Sequence, residues 1–241
     1  DRSSTAVAEG TAAPLVRCGP SAVGAQVRSG LAGSNRHPHD AGMTVAYEYR
    51  PDVLYLNVTN RCSNDCSFCV RRGHDYSLAG YDMRLGREPS PAQALAEVER
   101  LEQQRGGPFD EVVFCGFGEP TYRLDTIRLV GSTLRARNVP VRLNTNGQAG
   151  LIHELDPWET LASSIDSVSV SLNAPDAETY QALCRSRFGS EAFGAVLEFI
   201  RVAASRLDSV GVTVVAASLD PDSIDRCAAL AAELGASFRA R

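Results

Sequence analysis

No stretch of this chain approaches the ~20 consecutive apolar residues a helix needs to cross a bilayer, and the N-terminus has no apolar core of the kind that marks a secretory signal. Both absences lead us to expect a cytoplasmic protein. Positive charge is not in excess either: 24 Lys+Arg against 29 Asp+Glu leave a formal net charge of -5, without the electrostatic footprint of a general nucleic-acid binder. The seven cysteines are not spread as a framework of bridges. Cys62, Cys66 and Cys69 cluster, while Cys18, Cys115, Cys184 and Cys227 stand alone. That distribution favours metal binding in a reducing compartment over disulfides. No fourth cysteine lies near the cluster.

With 241 residues and 44% apolar side chains, the chain suits one α/β domain or two small ones with a sizeable core. Residues 1–42 are rich in Gly, Ala, Ser and Pro, show neither a helical nor a strand period, and end in the polar run Ser34-Asn35-Arg36-His37-Pro38-His39-Asp40. Such a segment buries too little apolar surface to offset its ordering entropy. We therefore expect a flexible leader over 1–42 and a folded domain over 43–241, opening at the first methionine, Met43. Cys18, His37 and His39 are expected to bind nothing specific there.

From Val53 onward, strand-like and helix-like segments alternate. Strands are predicted over 53–59, 111–115, 139–145, 166–172, 210–216 and 236–240, and helices over 90–105, 123–137, 151–164, 176–206 with a break near Gly189, and 222–234. Ser90-Pro91 opens a helix that Gly106-Gly107 closes, and Asp220-Pro221-Asp222 opens the last helix before Gly235. Strands separated by helices predict a parallel sheet. In Ser167-Val168-Ser169-Val170-Ser171-Leu172-Asn173 one face is apolar and the other is Ser or Asn, and Arg142, Asn144 and Asn146 share the polar face of 141–146. A parallel sheet covered on both faces reads as nearly continuous apolar runs. The expected fold class is therefore α/β with a half-closed barrel whose interior is wet or ligand-filled; an exposed edge face is the plainer alternative.

The run Val53-Leu54-Tyr55-Leu56-Asn57-Val58-Thr59 leads into Cys62-Ser63-Asn64-Asp65-Cys66-Ser67-Phe68-Cys69. A structural zinc ion takes four protein ligands, whereas an iron–sulfur cubane held by three thiolates keeps one iron open. Three sulfurs reaching three corners of one cluster require a tight loop, which Ser63, Asn64, Asp65 and Ser67 favour. Zinc, with His74 completing Cys-x3-Cys-x2-Cys-x4-His, is the other reading. After the second strand, Phe114-Cys115-Gly116-Phe117-Gly118-Glu119-Pro120 supplies glycines for close backbone approach, a proline that fixes chain direction and a carboxylate whose natural partner is an amino group. A structural turn is its plain alternative. These motifs fall at the C-terminal ends of consecutive predicted strands, where barrel active sites are built.

Together the segments resemble the radical S-adenosylmethionine (SAM) superfamily. The likeness rests on Cys62-x3-Cys66-x2-Cys69 with aromatic Phe68 before the last cysteine, and on Gly116-Phe117-Gly118-Glu119-Pro120. It continues in Asn144-Thr145-Asn146-Gly147 and Ser171-Leu172-Asn173, and runs over residues 45–241. More narrowly, the chain is similar to small TatD-associated radical SAM proteins through Tyr47-Glu48-Tyr49 and residues 54–62, 114–121 and 168–174. That group is defined by sequence and by gene neighbourhood with a metal-dependent hydrolase, and its name identifies no substrate.

The resemblance implies a partial (β/α)6 parallel barrel, an incomplete TIM barrel. It also implies an enzyme whose 4Fe-4S cluster reductively cleaves SAM to a 5′-deoxyadenosyl radical that takes hydrogen from a substrate. Carried over by position, Cys62, Cys66 and Cys69 ligate iron, Phe68 lies against the adenine, and Gly116, Gly118 and Glu119 receive the SAM ammonium with Pro120 shaping the turn. Asn144, Ser171 and Asn173 face the ribose and carboxylate, or else hydrogen-bond within the barrel. No acid–base pair is implied, because the cofactor carries the difficult chemistry. A one-electron donor such as flavodoxin or ferredoxin is implied. A small-molecule or nucleoside-type substrate is favoured over a protein, since no peptide-recognition domain is visible. The alternatives are an activase or maturase acting on a partner protein, and a non-catalytic iron–sulfur or zinc module.

The likeness weakens at Val210-Gly211-Val212-Thr213-Val214-Val215, where the superfamily often places a glycine-rich adenine-binding strand. Six strands leave a barrel open on one side, to be covered by the insertion 73–89, a second subunit or a bulky substrate. Arg71-Arg72 and Arg185-x-Arg187 either bind substrate phosphate or carboxylate or, the plainer expectation, are solvated or make weak surface pairs. Cys115, Cys184 and Cys227 are expected as small packing residues, and Trp158 as core.

Overall fold

The structure, a computed structural model, describes residues 44–72, 76–78 and 80–241. The expected leader with Cys18, His37 and His39, the domain start at Met43 and the alternative zinc ligand His74 lie outside the described residues. In chain order the elements are β1 (Ala46–Arg50), β2 (Val53–Leu56), β3 (Ser77–Leu78), β4 (Tyr81–Asp82), α1 (Pro91–Arg105), β5 (Glu111–Phe114) and α2 (Leu124–Ala136). They continue with β6 (Val141–Thr145), α3 (Ala149–His153), α4 (Trp158–Leu161), β7 (Ser167–Ser171), α5 (Ala177–Cys184) and α6 (Glu191–Arg206). The last three are β8 (Ser209–Val214), α7 (Pro221–Glu233) and β9 (Ser237–Ala240). Among the described residues no helix is long and apolar enough to cross a membrane.

One sheet runs in the order β1-β2-β5-β6-β7-β8-β9. Every neighbouring pair from β2 to β9 is parallel, and β1 alone is antiparallel, to β2. Six parallel strands with intervening helices make the partial (β/α)6 barrel expected. The addition is β1, which the sequence reading did not call a strand. Glu48, Tyr49 and Arg50 are exposed, so this edge strand carries no apolar period to read.

The alternation within strands decides which face the helices cover. Leu54 and Leu56 of β2, Val112 and Phe114 of β5, Val141 and Leu143 of β6, and Val168 and Val170 of β7 are buried together. They pack with Val98 of α1, Ile127, Val130 and Leu134 of α2, and Val196 and Ile200 of α6. Each such side chain contributes about 1.5–3 kcal/mol on burial. The opposite face lines the concave side of the barrel. There Arg142 pairs with Ser167, and Asn144 with Ser169, which in turn meets Gly211. Toward β1 the concave face is apolar: Tyr47, Val53, Tyr55, Val113 and Phe117 pack with Met83, Tyr76, Leu78 and Tyr81. The described part of the insertion 73–89 thus covers that side itself.

The helix limits held where the caps were explicit. Ser90 accepts from Gln93 N while the Gln93 side chain accepts from Ser90 N, closing a reciprocal box before α1. The single helix predicted over 151–164 is instead α3 and α4. Glu154 takes a left-handed conformation (φ 57°), and Asp156, before Pro157, accepts from Trp158 N at 2.9 Å. The break predicted near Gly189 is present but begins at Arg185 (φ 47°).

Candidate active site

The cysteine loop follows β2 and is hydrogen-bonded to the segments after β5 and β6 and to α5. Asn146, after β6, joins the loop to the segment after β5: its Nδ2 donates to Ser63 Oγ at 2.8 Å and approaches Cys62 Sγ at 3.9 Å. Its backbone N donates to Glu119 Oε2 at 2.7 Å. Glu119 is buried, and its Oε1 accepts from Thr121 N, Thr121 Oγ1 and Thr145 Oγ1 at 3.1, 2.8 and 2.7 Å. Burial nonetheless lifts its carboxyl above the usual range, against the pull of those bonds. Oε1 is saturated, while Oε2 holds one donor and keeps capacity for another.

Gly116 and Gly118 are glycines for a packing reason. A Cβ on Gly116 would overlap the Asn57 side chain, and one on Gly118 would lie 2.6 Å from the Arg61 carbonyl oxygen and closer still to that of Thr59. The motif lies directly on the strand end that feeds the cysteine loop, fixed by Cys115 N to Leu56 O at 3.0 Å and Glu119 N to Arg61 O at 2.7 Å. Pro120 is buried at the start of a single 3-10 turn.

Around the thiols the sequence reading missed most of the support. Arg71 is no weak surface cation. Its guanidinium donates to Cys69 Sγ at 3.3 Å, to the Asn60 carbonyl at 3.2 Å and to the Asn64 carbonyl at 3.5 Å. Arg72 meets expectation as an exposed partner of Asp65, and Arg187 stacks over Phe188 at 4.6 Å. A buried network closes behind the loop: Asn64 Nδ2 and Gln148 Nε2 donate to the Tyr180 hydroxyl at 3.0 and 2.7 Å. Gln148 Nε2 also donates to Asn64 Oδ1 at 2.8 Å, and Ser186 Oγ donates to Gln148 Oε1 at 2.9 Å. No short motif announces this network, because its hydrogen-bonded partners are 32 to 116 positions apart.

The remaining expected residues divide. Asn173, at the end of β7 with φ 57°, is buried, and its Oδ1 has no hydrogen-bond partner. Phe68 is half-buried against the main core. Asn144 and Ser171 are not joined to the cysteine loop; Asn144 Oδ1 accepts from Arg142 at 2.8 Å and Ser171 Oγ from Arg241 at 3.4 Å. Arg142 itself forks onto Glu111 at 2.9 Å through both contacts. Cys115 interacts with Asn144, and Trp158 packs on Phe199 at 4.9 Å between centroids.

Burial, followed by the charge of Glu119, pushes the Cys62 thiol up to about 12. Cys66 is pushed up as well, first by a hydrogen bond to Cys184 and then by burial. Among the described residues, no three His, Cys, Asp or Glu side chains are gathered tightly enough to hold a single metal ion. A cubane spreads its thiolates over three corners and asks for a wider spacing. Three thiols on one loop, with a cationic fork beside Cys69 and an unpartnered acceptor past the end of β7, fit such a group.

Comparison with known proteins decides the family. The radical SAM superfamily model matches residues 56–231. The chain belongs to the radical SAM superfamily. Members use a 4Fe-4S cluster and SAM, and these are the cofactors of this radical SAM enzyme. A probable GTP 3′,8-cyclase of Methanocella arvoryzae is 28% identical over 189 residues, which are 75% of this chain and 53% of that protein. The chain thus spans about half the length of that curated relative. Among solved structures, SuiB of Streptococcus suis bound to SAM aligns at TM-score 0.57 and 20% identity, covering 77% of this chain and 39% of that one. A radical SAM methyltransferase from Sphaerobacter thermophilus aligns at TM-score 0.56 and 20% identity, covering 79% and 56%. Both structural likenesses bear on the radical SAM fold alone.

Proposed function

We propose that Cys62, Cys66 and Cys69 hold the 4Fe-4S cluster at the end of β2, and that SAM binds beside it. The unpartnered, buried Asn173 Oδ1 supports this most directly. An acceptor kept from water without a donor costs about 1–3 kcal/mol, which a ligand N–H or O–H relieves. Glu119 Oε2 and the backbone of Gly116 and Gly118 face an ammonium, Pro120 sets the turn, Phe68 supplies an apolar wall, and Asn144 and Ser171 extend the polar rim. Arg71 offsets the negative charge of the ligated thiolates. When bound, the cluster and SAM supply a 5′-deoxyadenosyl radical able to remove hydrogen from a substrate.

The substrate we favour is a small molecule of nucleoside type, and the electron donor a flavodoxin or ferredoxin. The concave face supports this with hydroxyls from Ser167, Ser169 and Ser171 and with guanidinium groups, and so do relatives named as GTP 3′,8-cyclases. Placement beside the TatD-associated proteins rests on the segments quoted above. Anaerobic reconstitution tests the site: about four irons per chain, a brown colour, and conversion of SAM to 5′-deoxyadenosine are expected. Cys66→Ala should lose both iron and SAM cleavage, whereas Glu119→Ala should weaken SAM binding and keep the iron. Normal SAM cleavage by Cys66→Ala overturns the ligand assignment.

A further inference from the structure

Cys184 is a buried thiol that none of these assignments uses, and it lies against one of the proposed ligands. It ends α5 with no exposed surface, beside the Cys66 thiol, whose acidity it shifts. Backbone bonds hold the two segments in register. Asp65 N donates to the Cys184 carbonyl at 3.0 Å and Ser67 N to the Leu183 carbonyl at 2.8 Å, which pins Cys66 opposite the helix end. Asn173 Nδ2 approaches the Cys184 sulfur at 3.8 Å. One turn back on α5, the Tyr180 oxygen already accepts two amide donors.

We propose that Cys66 and Cys184 are a dithiol–disulfide pair, a site of reversible oxidation by low-molecular-weight disulfides, and that the bridge withdraws Cys66 from the cluster. Cys66 is half-buried and Cys184 fully buried, so the oxidant RSSR meets Cys66 first. The Cys66 sulfur attacks it, forming Cys66–S–S–R and releasing one RS⁻; the Cys184 sulfur then attacks Cys66 and displaces the second. One oxidant S–S bond is exchanged for one protein S–S bond, and the two thiol protons leave on two RSH molecules. A bridged sulfur has no thiolate to offer iron. That consequence rests on Cys66 being a ligand, while the cross-link itself does not.

The test uses cluster-free protein incubated anaerobically with oxidised glutathione, quenched with an alkylating reagent and mapped as peptides without reduction. A Cys66–Cys184 peptide is expected in most chains. Iron uptake on reconstitution should fall at least fivefold and return after dithiothreitol. In Cys184→Ala the reaction should stop at a glutathione adduct on Cys66. Cys66 bridged to Cys62 or Cys69 instead, or still free to alkylate, overturns the proposal, and this wild-type map decides even if the variant folds poorly. A Cys66–Cys184 bridge that leaves iron uptake unchanged upholds the pair and refutes the ligand role of Cys66.

Discussion

Gly118 has no room for a methyl group, because the carbonyls of Thr59 and Arg61 already occupy the space. Backbone cannot give way as a flexible side chain can, so Gly118→Ala should destabilise the fold by about 1–3 kcal/mol, read by urea denaturation, and should lower iron occupancy as the motif lifts off β2. The glycine was visible in the sequence, but its reason was not: the motif suggested a glycine facing a ligand, and the structure adds one facing the chain. The thiols carry a second consequence. Ligated cysteines are thiolates, while in the cluster-free protein burial pushes the Cys62 thiol up to about 12. Loading must release its proton, so apparent metal affinity should rise with pH below that value, by up to tenfold per pH unit for each thiol that ionises. Iron uptake at pH 7 and pH 8.5 under fixed iron and sulfide checks the sign.

α5 reaches the cysteine loop through its last turn and its one buried tyrosine. Tyr180→Phe leaves the amide hydrogens of Asn64 and Gln148 without their shared acceptor in a buried site, at a cost of about 1–3 kcal/mol per unsatisfied group. We expect a lower thermal midpoint and faster cluster loss under chelator, the second because Asn64 sits inside the loop. A variant that loses stability yet keeps wild-type cluster lifetime would show that the network supports the fold alone. Caps made the outer helices legible, since Ser90 and Asp220 each accept from a backbone N three residues on. α5 itself was foreseen only as part of a longer helical stretch. Its role as a clamp was invisible, because the donors and acceptor it unites lie on different strand ends.

Across the whole molecule the sheet separates two tasks. Its convex face is the apolar floor under the helices, and its concave face carries the polar rows and the aromatic patch under the insertion. Leu143 lies wholly on the first, so Leu143→Ala should cost about 2–5 kcal/mol in denaturation while a cold, folded sample still takes up iron. Local pattern was enough for the six parallel strands, the capped helices α1 and α7 and the motifs at the strands' C-terminal ends, because strand period, cap chemistry and ligand spacing are written in neighbouring residues. The edge strand β1, the grip of Arg71 on Cys69, the orphaned Asn173 oxygen and the meeting of Cys66 with Cys184 depended on how strand ends converge. Such contacts join residues far apart in the chain, and only the closure of the barrel brings them within hydrogen-bonding distance.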